Sequence, residues 1–305
     1  MNASPKVVIR FPIGGAHPSV WAYSRGEYDD RTPFERLLEE GTIWRRPTAA
    51  DRDAIRRWFE VFKEYHSGEH MHRATWEDTV LISEDPVTFD RETMIDWGAR
   101  ITSLVVSTTL NTRHASLRHQ AMRFRIEDGL EVPDSGDVRH ETLRLGSWPA
   151  PYSEELLPER VDAIVQLYPY TRRVYGQDAN HRLKRVLLAY RMATSPTRFA
   201  DPIPVLLCAA IEALTGSTKE REVIALVQRY VGATDAAERV GQLYRCRHWF
   251  AHGIDFPDMQ DSALRMTSVD EGLLTVKEVL RNAFMDDQLF ELAASAREAR
   301  RYLER

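Results

Sequence analysis

Along the first half of the chain the spacing of apolar residues keeps changing its period. Lys6–Ile13 is apolar and β-branched, the pattern of a strand. Glu35–Glu40 reads as a short helix. Thr48-Ala-Ala-Asp51 has the form of a helix start and opens a helix to about Tyr65, with Ile55, Trp58, Phe59 and Phe62 on one face. Thr79–Ser83 reads as a strand and Glu92 to about Leu110 as a helix. Met122–Val132 and Val138–Leu145 read as strands joined through Asp134-Ser-Gly136. Residues 1–146 therefore predict an α+β domain.

After Gly146-Ser-Trp-Pro-Ala-Pro-Tyr152, which has the composition of a linker, no strand pattern recurs. Helical periodicity appears at about 154–168, 178–194, 203–216, 219–231, 234–252, 269–285 and 287–303. Leu183, Val186, Leu187 and Tyr190 share one face, and Thr234-Asp235 is a good cap for the fifth helix. Short connections between helices imply antiparallel neighbours, so residues 147–305 predict an all-α bundle.

Composition narrows the class. At 305 residues the chain is long for one core and suits two domains. It is 43% hydrophobic and 29% charged, with 15 Gly and 15 Pro, which excludes a disordered or collagenous chain. Two cysteines, Cys208 and Cys246, exclude a disulfide framework and predict a reducing, cytoplasmic setting. Near the start Lys6 and Arg10 bracket three apolar residues, so no signal-peptide core is expected. Pro202–Gly216 is near-apolar but short and carries Glu212, which argues against a membrane span.

The net charge of −5 is unusual for a polyanion-binding protein, but it hides local bias. Trp97–Ile126 holds Arg100, Arg113, Arg118, Arg123, Arg125, His114 and His119 and no acid. Ala163–Ala200 holds seven basic residues, including Arg182, Lys184 and Arg185, against the single acid Asp178. These two stretches are the candidate RNA-binding surfaces, read from Arg113, Arg118, Arg123, Arg125, Arg182, Lys184 and Arg185. Genome composition alone would produce the same arginine bias.

The chemistry concentrates in Gly241-Gln-Leu-Tyr-Arg-Cys-Arg-His-Trp-Phe-Ala-His-Gly253. On a helical wheel Leu243, Tyr244 and Ala251 follow Val240 in an apolar stripe, and Arg247 falls inside it, within about 20° of Val240. A guanidinium there needs a partner, because an unpaired buried charge costs several kcal/mol. Glu212, which interrupts the apolar run Val205–Leu214, is the expected partner across two packed helices. His248 and His252 lie one turn apart. They suit either metal binding or proton transfer beside a charge-stabilising cation. Arg247 and His252 are about 140° apart on an ideal helix, so a second copy of the motif would help them converge.

Arg247-His248-x-x-x-His252 resembles the Arg-polar-x(3)-His signature of the HEPN superfamily, helical bundles rich in metal-independent ribonucleases. Its surroundings are similar to the Apea-like branch. There an apolar helix carrying Leu-Glu-x-Leu, here Ile211-Glu212-Ala213-Leu214, precedes a helix ending Leu-Tyr-x-x-Arg-x(4)-His-Gly, here Leu243 to Gly253. The resemblance covers about Leu183 to Asn282. It implies cleavage of RNA by the ribose 2′-hydroxyl without metal or cofactor. His252 would act as acid/base, Arg247 as charge stabiliser, and Glu212 and Tyr244 as support. His248 stands where Asn is commoner, which leaves it either orienting the substrate or sharing the proton transfer. The resemblance also implies a homodimer through the bundle, and a bacterial toxin or anti-phage role with a possible cognate protein partner. Many such modules are catalytically silent and bind RNA or protein instead. The α+β domain is expected to sense or grip a partner or RNA.

A third reading, a metal-dependent hydrolase, centres on His66, His70 and His72 beside Glu69, although solvated loop histidines explain the same spacing. Cys246 between Arg245 and Arg247 reads as a packing residue. Trp249, on the outer face of the motif helix, is a candidate for dimer contact or RNA stacking.

Overall fold

The structure is a computed structural model. It describes residues 6–15, 33–61, 79–88, 90–112, 116–119, 122–128, 130–134, 145–146, 157–175, 181–194, 203–232, 235–252, 259–292 and 295–303. The chain divides into two compact units, one of residues 1–105 and 114–165 and the other of residues 106–113 and 166–305. The first is mixed α+β and the second is helical.

In the first unit the described strands form one antiparallel sheet: β1 (Lys6–Gly15), β2 (Glu35–Glu39), β3 (Thr42–Arg45), β4 (Thr79–Ser83), β5 (Val87–Thr88), β6 (Ser116–His119), β7 (Met122–Glu127), β8 (Leu130–Pro133) and β9 (Leu145–Gly146). The long β1 is the spine. Its Arg10 faces Ile82 of β4 and Met122 of β7, and its far end, Ile13–Gly15, pairs with β6. The order is β2-β3-β4-β1-β6-β9, with β5 and β7 also pairing with β1 and β8 pairing with β7. Helix α1 (Ala49–Val61) starts as its sequence predicts, Thr48 Oγ1 accepting from Asp51 N and Asp51 Oδ2 from Thr48 N. Its buried Ala54, Ile55 and Trp58 pack with Val8, Ile82, Met122 and Phe124.

Two expectations for this unit change. Glu35–Glu39 is a strand and not a helix: the turn at Gly41, with φ of +70°, folds it onto β3, and pairing overrides a weak local preference. The span 122–132 is a hairpin of two strands: Glu127 pairs with Leu130, and Asp128 has a φ of +51°. Of the strand expected at 138–145, only Leu145 lies within the described residues, paired with Leu117. Phe62 and the end of the helix expected to run to about Tyr65 fall outside them.

The chain then continues through α2 (Arg91–Asn111), α3 (Pro158–Tyr175), α4 (His181–Thr194), α5 (Ile203–Thr215), α6 (Glu220–Val231), α7 (Ala236–His252), α8 (Met259–Phe284), α9 (Asp287–Leu292) and α10 (Ala296–Leu303). The helical unit takes the C-terminal turns of α2 and most of α3. Ser107 and Thr171 share a buried hydroxyl contact of 2.8 Å, and Lys277 Nζ donates to the Thr112 carbonyl at 3.0 Å.

The helices differ from the apolar pattern at three points. Pro169 is internal to α3, where it removes one backbone bond without ending the helix. Helix α8 starts at Met259, well before the apolar period becomes visible. The stretch 287–303 is two helices, because Asp286 caps Leu289 N and Ser295 caps Glu298 N, starting the chain afresh.

Candidate functional site

Helix α5 is apolar almost all round, with Leu207, Cys208, Ala210, Ile211 and Leu214 buried. A carboxylate on such a helix must be matched by donors. Glu212 meets two of them, both from α7. Tyr244 Oη donates to its Oε1 at 3.0 Å, and Arg247 Nη1 donates to the same oxygen at 2.5 Å. The Arg247 guanidinium also lies 5.4 Å from the centroid of the Tyr244 ring. The expected Glu212–Arg247 contact is present. Its burial is uneven: the Glu212 side chain is 12% exposed and that of Arg247 is 32% exposed.

The wheel explains why. Val240, Leu243 and Tyr244 are buried, but Ala251, on the same stripe, is exposed. The buried part of the stripe ends near Arg247, which therefore has one side in the core and one side open. The expectation that Arg247 is largely buried is corrected to half-buried. Helix α8 holds α7 from behind, where a Cβ on Gly272 would stand 3.2 Å from Leu243 Cδ1.

The cluster has a sulfur neighbour that no sequence pattern indicates. Burial pushes the Cys208 thiol up to about 12, the Glu212 carboxylate and Cys246 adding to the rise while Arg247 opposes it. Both cysteines are buried and neither is in a disulfide. Cys246 therefore packs, as expected. Burial raises the Tyr244 phenol well above its usual range, with Cys208 and Glu212 reinforcing it, so Tyr244 stays a neutral donor.

His248 is exposed beside Arg247 on α7. The backbone of His252 forms the last residue of α7. The side chains of His252 and Trp249, and all of Gly253, lie outside the described residues. The described cluster is therefore Glu212, Tyr244 and Arg247, with His248 alongside.

The candidate RNA-binding cations separate into kinds. Arg123 is 7% exposed and ion-paired with Asp134 at 3.1 Å, so it is withdrawn from the surface. Arg125 is exposed and reaches Glu127 at 3.2 Å and Asp134 at 3.6 Å. Arg182 caps α5, donating to the Ala213 and Leu214 carbonyls at 2.7 Å each, and burial lowers its pKa. Its role is to hold the end of the Glu212 helix. Arg185 is exposed and Lys184 half-buried. Arg113 and the side chain of Arg118 lie outside the described residues. On α8, Val276 and Val279 are fully buried, while Leu273 and Leu274 are half-buried.

Two cavities of about 340 and 730 Å³ lie elsewhere in the helical unit, lined from α6, α9 and α10 and the ends of neighbouring elements. Arg300 Nη2 contacts Glu222 Oε1 at 2.6 Å across a sequence separation of 78 residues, which no spacing rule reveals. Among the described residues no group of three or more His, Cys, Asp or Glu is arranged to hold a metal ion. His66, His70 and His72 lie outside them. No described helix is long and apolar enough to cross a membrane. Comparison with protein-family models, with curated proteins and with solved structures finds no match for this chain.

Proposed function

We propose that the helical unit is a metal-independent endoribonuclease of HEPN type, acting in the cytoplasm as a bacterial toxin or defence factor. The observation that carries the reading is the Glu212–Tyr244–Arg247 cluster. It holds a half-buried guanidinium on the helix that ends at His252. The sequence resemblance supports the same residues.

In this reading the ribose 2′-hydroxyl attacks the adjacent phosphorus and gives up its proton to a base. The phosphorus–5′-oxygen bond breaks, and the leaving oxygen takes a proton. The products are a 2′,3′-cyclic phosphate and a 5′-hydroxyl. His252 supplies the acid/base function, with His248 accessory to it. The open side of Arg247 meets the charge that grows on the phosphoryl oxygens. Glu212 positions Arg247 and Tyr244 fixes Glu212. A homodimer through the bundle brings two copies of the motif to one cleft, with an interface of at least about 1,000 Å².

Purified protein incubated with total RNA, with and without EDTA, tests the reading. His252→Ala and Arg247→Ala each abolish cleavage while the helical circular dichroism stays unchanged, and EDTA has no effect. Full activity in His252→Ala overturns the assignment. Light scattering at micromolar concentration reads the dimer, and an active monomer removes the shared cleft.

One observation favours a second reading, a silent module that binds RNA or a protein partner. Arg247 already has its carboxylate at 2.5 Å, and that pair alone explains its place on the apolar stripe. Binding of RNA without cleavage would select it.

A further inference from the structure

The two cavities beside α6 are neighbours along α6 and α10, with Ala225 and Leu303 in the walls of both, and are taken together as one groove. Its smaller end, about 340 Å³, is lined by Thr215, Lys219, Arg221, Glu222 and Arg300 among others. Three cations stand there around one carboxylate. Lys219 Nζ lies 3.4 Å and Arg300 Nη2 2.6 Å from the same Glu222 oxygen, and Arg221 is beside them. One acid shared by two cations, with a third adjacent, leaves the pocket about two charges positive in a chain whose net charge is −5. The pocket also opens at the start of α6, whose cap residue, Lys219, makes no side-chain cap bond.

The larger end, about 730 Å³, changes character, with Gln228, Gln288 and Tyr302 in the wall and a single cation, Arg229. This wall is fixed in place. Tyr302 Oη donates to Asp286 Oδ2 at 3.0 Å, Arg229 Nη1 donates to the Tyr302 carbonyl at 2.8 Å, and the Arg229 guanidinium covers the Tyr302 ring at 4.3 Å. Tyr230 Oη holds the same Asp286 oxygen at 2.7 Å.

We infer that this groove is a binding site for a small phosphomonoester. The phosphate sits among Lys219, Arg221 and Arg300, and the organic part lies along Gln228, Gln288 and Tyr302. A dianionic phosphate matches the two-charge excess, and guanidinium groups bind it through paired donors. The amide side chains of the two glutamines both donate and accept, which suits a polar body such as a sugar more than an acyl chain. The volumes fall in the range of small-molecule sites. The site is separate from the Glu212–Arg247 cluster and stands or falls independently of the nuclease reading.

Isothermal titration of the full chain at low ionic strength, with inorganic phosphate and with ribose 5-phosphate as probes, provides the test. Both bind, the sugar phosphate more tightly, and affinity rises with pH as the phosphate takes its second charge near about pH 6. Arg221→Gln touches no contact within the fold described above and weakens both probes about ten-fold or more, with circular dichroism unchanged. Gln288→Ala weakens ribose 5-phosphate and leaves inorganic phosphate unchanged. Arg300→Gln serves as the second cation variant if its melting temperature is retained. Absence of binding at millimolar probe overturns the site, as does binding that survives Arg221→Gln. Equal affinity for the two probes removes the groove's larger end from the assignment.

Discussion

At Glu212 a single oxygen, Oε1, accepts from both Tyr244 and Arg247, so the two donors depend on one charge. Glu212→Gln keeps the shape and removes that charge. The cost is about 1–3 kcal/mol in urea unfolding, below the 3–5 of a fully buried pair, because Arg247 keeps a solvated side. Tyr244→Phe removes one hydrogen bond and costs about 0.5–1.5 kcal/mol. A Glu212→Gln protein as stable as the parent would show that the pair adds nothing to the fold. A second carboxylate, Asp51, carries heavier duty in the α+β unit. Its side chain is 1% exposed and meets Arg10 at 3.2 Å and Arg45 at 3.1 Å. Burial alone would raise its pKa, but the hydrogen bonds from Thr48 and the contact with Arg45 outweigh it and hold the carboxyl below its usual value. A depressed folded pKa gives stability that is complete above the unfolded value, near about 4, and fades as the pH falls towards the folded one. Stability of the parent should therefore drop on acidification below about pH 4, and Asp51→Asn should flatten that part of the curve. An unchanged pH profile in Asp51→Asn would sink this account.

Helix α7 meets α8 where a side chain is missing. A Cβ on Gly272 would lie 3.2 Å from Leu243 Cδ1 and 3.3 Å from Leu243 Cβ, and the latter atom has little freedom to move. Gly→Ala inside a helix ordinarily gains up to about 1 kcal/mol, and here the close contact cancels that gain. Gly272→Val overpacks the contact and costs about 1–3 kcal/mol. In a double-mutant cycle with Leu243→Ala, the two losses should sum to more than the measured loss of the pair. Strict additivity would mean that the helices separate freely. The same helices show what a one-dimensional pattern carries. The Thr48–Asp51 cap, the apolar α5 and the anomaly of Arg247 were legible because each depends on neighbours within a turn or two. The strand at Glu35–Glu39 was not, since its partner β3 and the left-handed Gly41 decide it. Helix α3 runs through Pro169 because packing of Val161, Ile164, Leu167 and Val174 outweighs one lost backbone bond. The cationic groove was invisible for the same reason, since Lys219 and Arg300 meet only through the folded chain. Within the candidate site, Glu212, Tyr244 and Arg247 were readable because each broke or joined an apolar face, whereas Cys208 looked like any other core residue of α5.

At the scale of the whole molecule, the two units are not consecutive pieces of sequence. Residues 106–113 belong with the helical unit, and they do more than fill space there. Ser107 holds Thr171, the Thr112 carbonyl holds Lys277, and Val106 and Leu110 are buried. A fragment of residues 147–305 lacks all four. It leaves two buried polar groups without these partners, at about 1–3 kcal/mol each, and uncovers apolar core as well. Its thermal unfolding by circular dichroism should be broader and lower than that of the full chain. Adding a peptide of residues 104–114 should raise the midpoint, and a fragment as stable as the parent would contradict this. The consequence reaches past the laboratory bench. A gene rearrangement that breaks between codons 146 and 147 would transfer a bundle without its own staple. To stand alone, that bundle would need another segment to lie against Thr171 and Lys277.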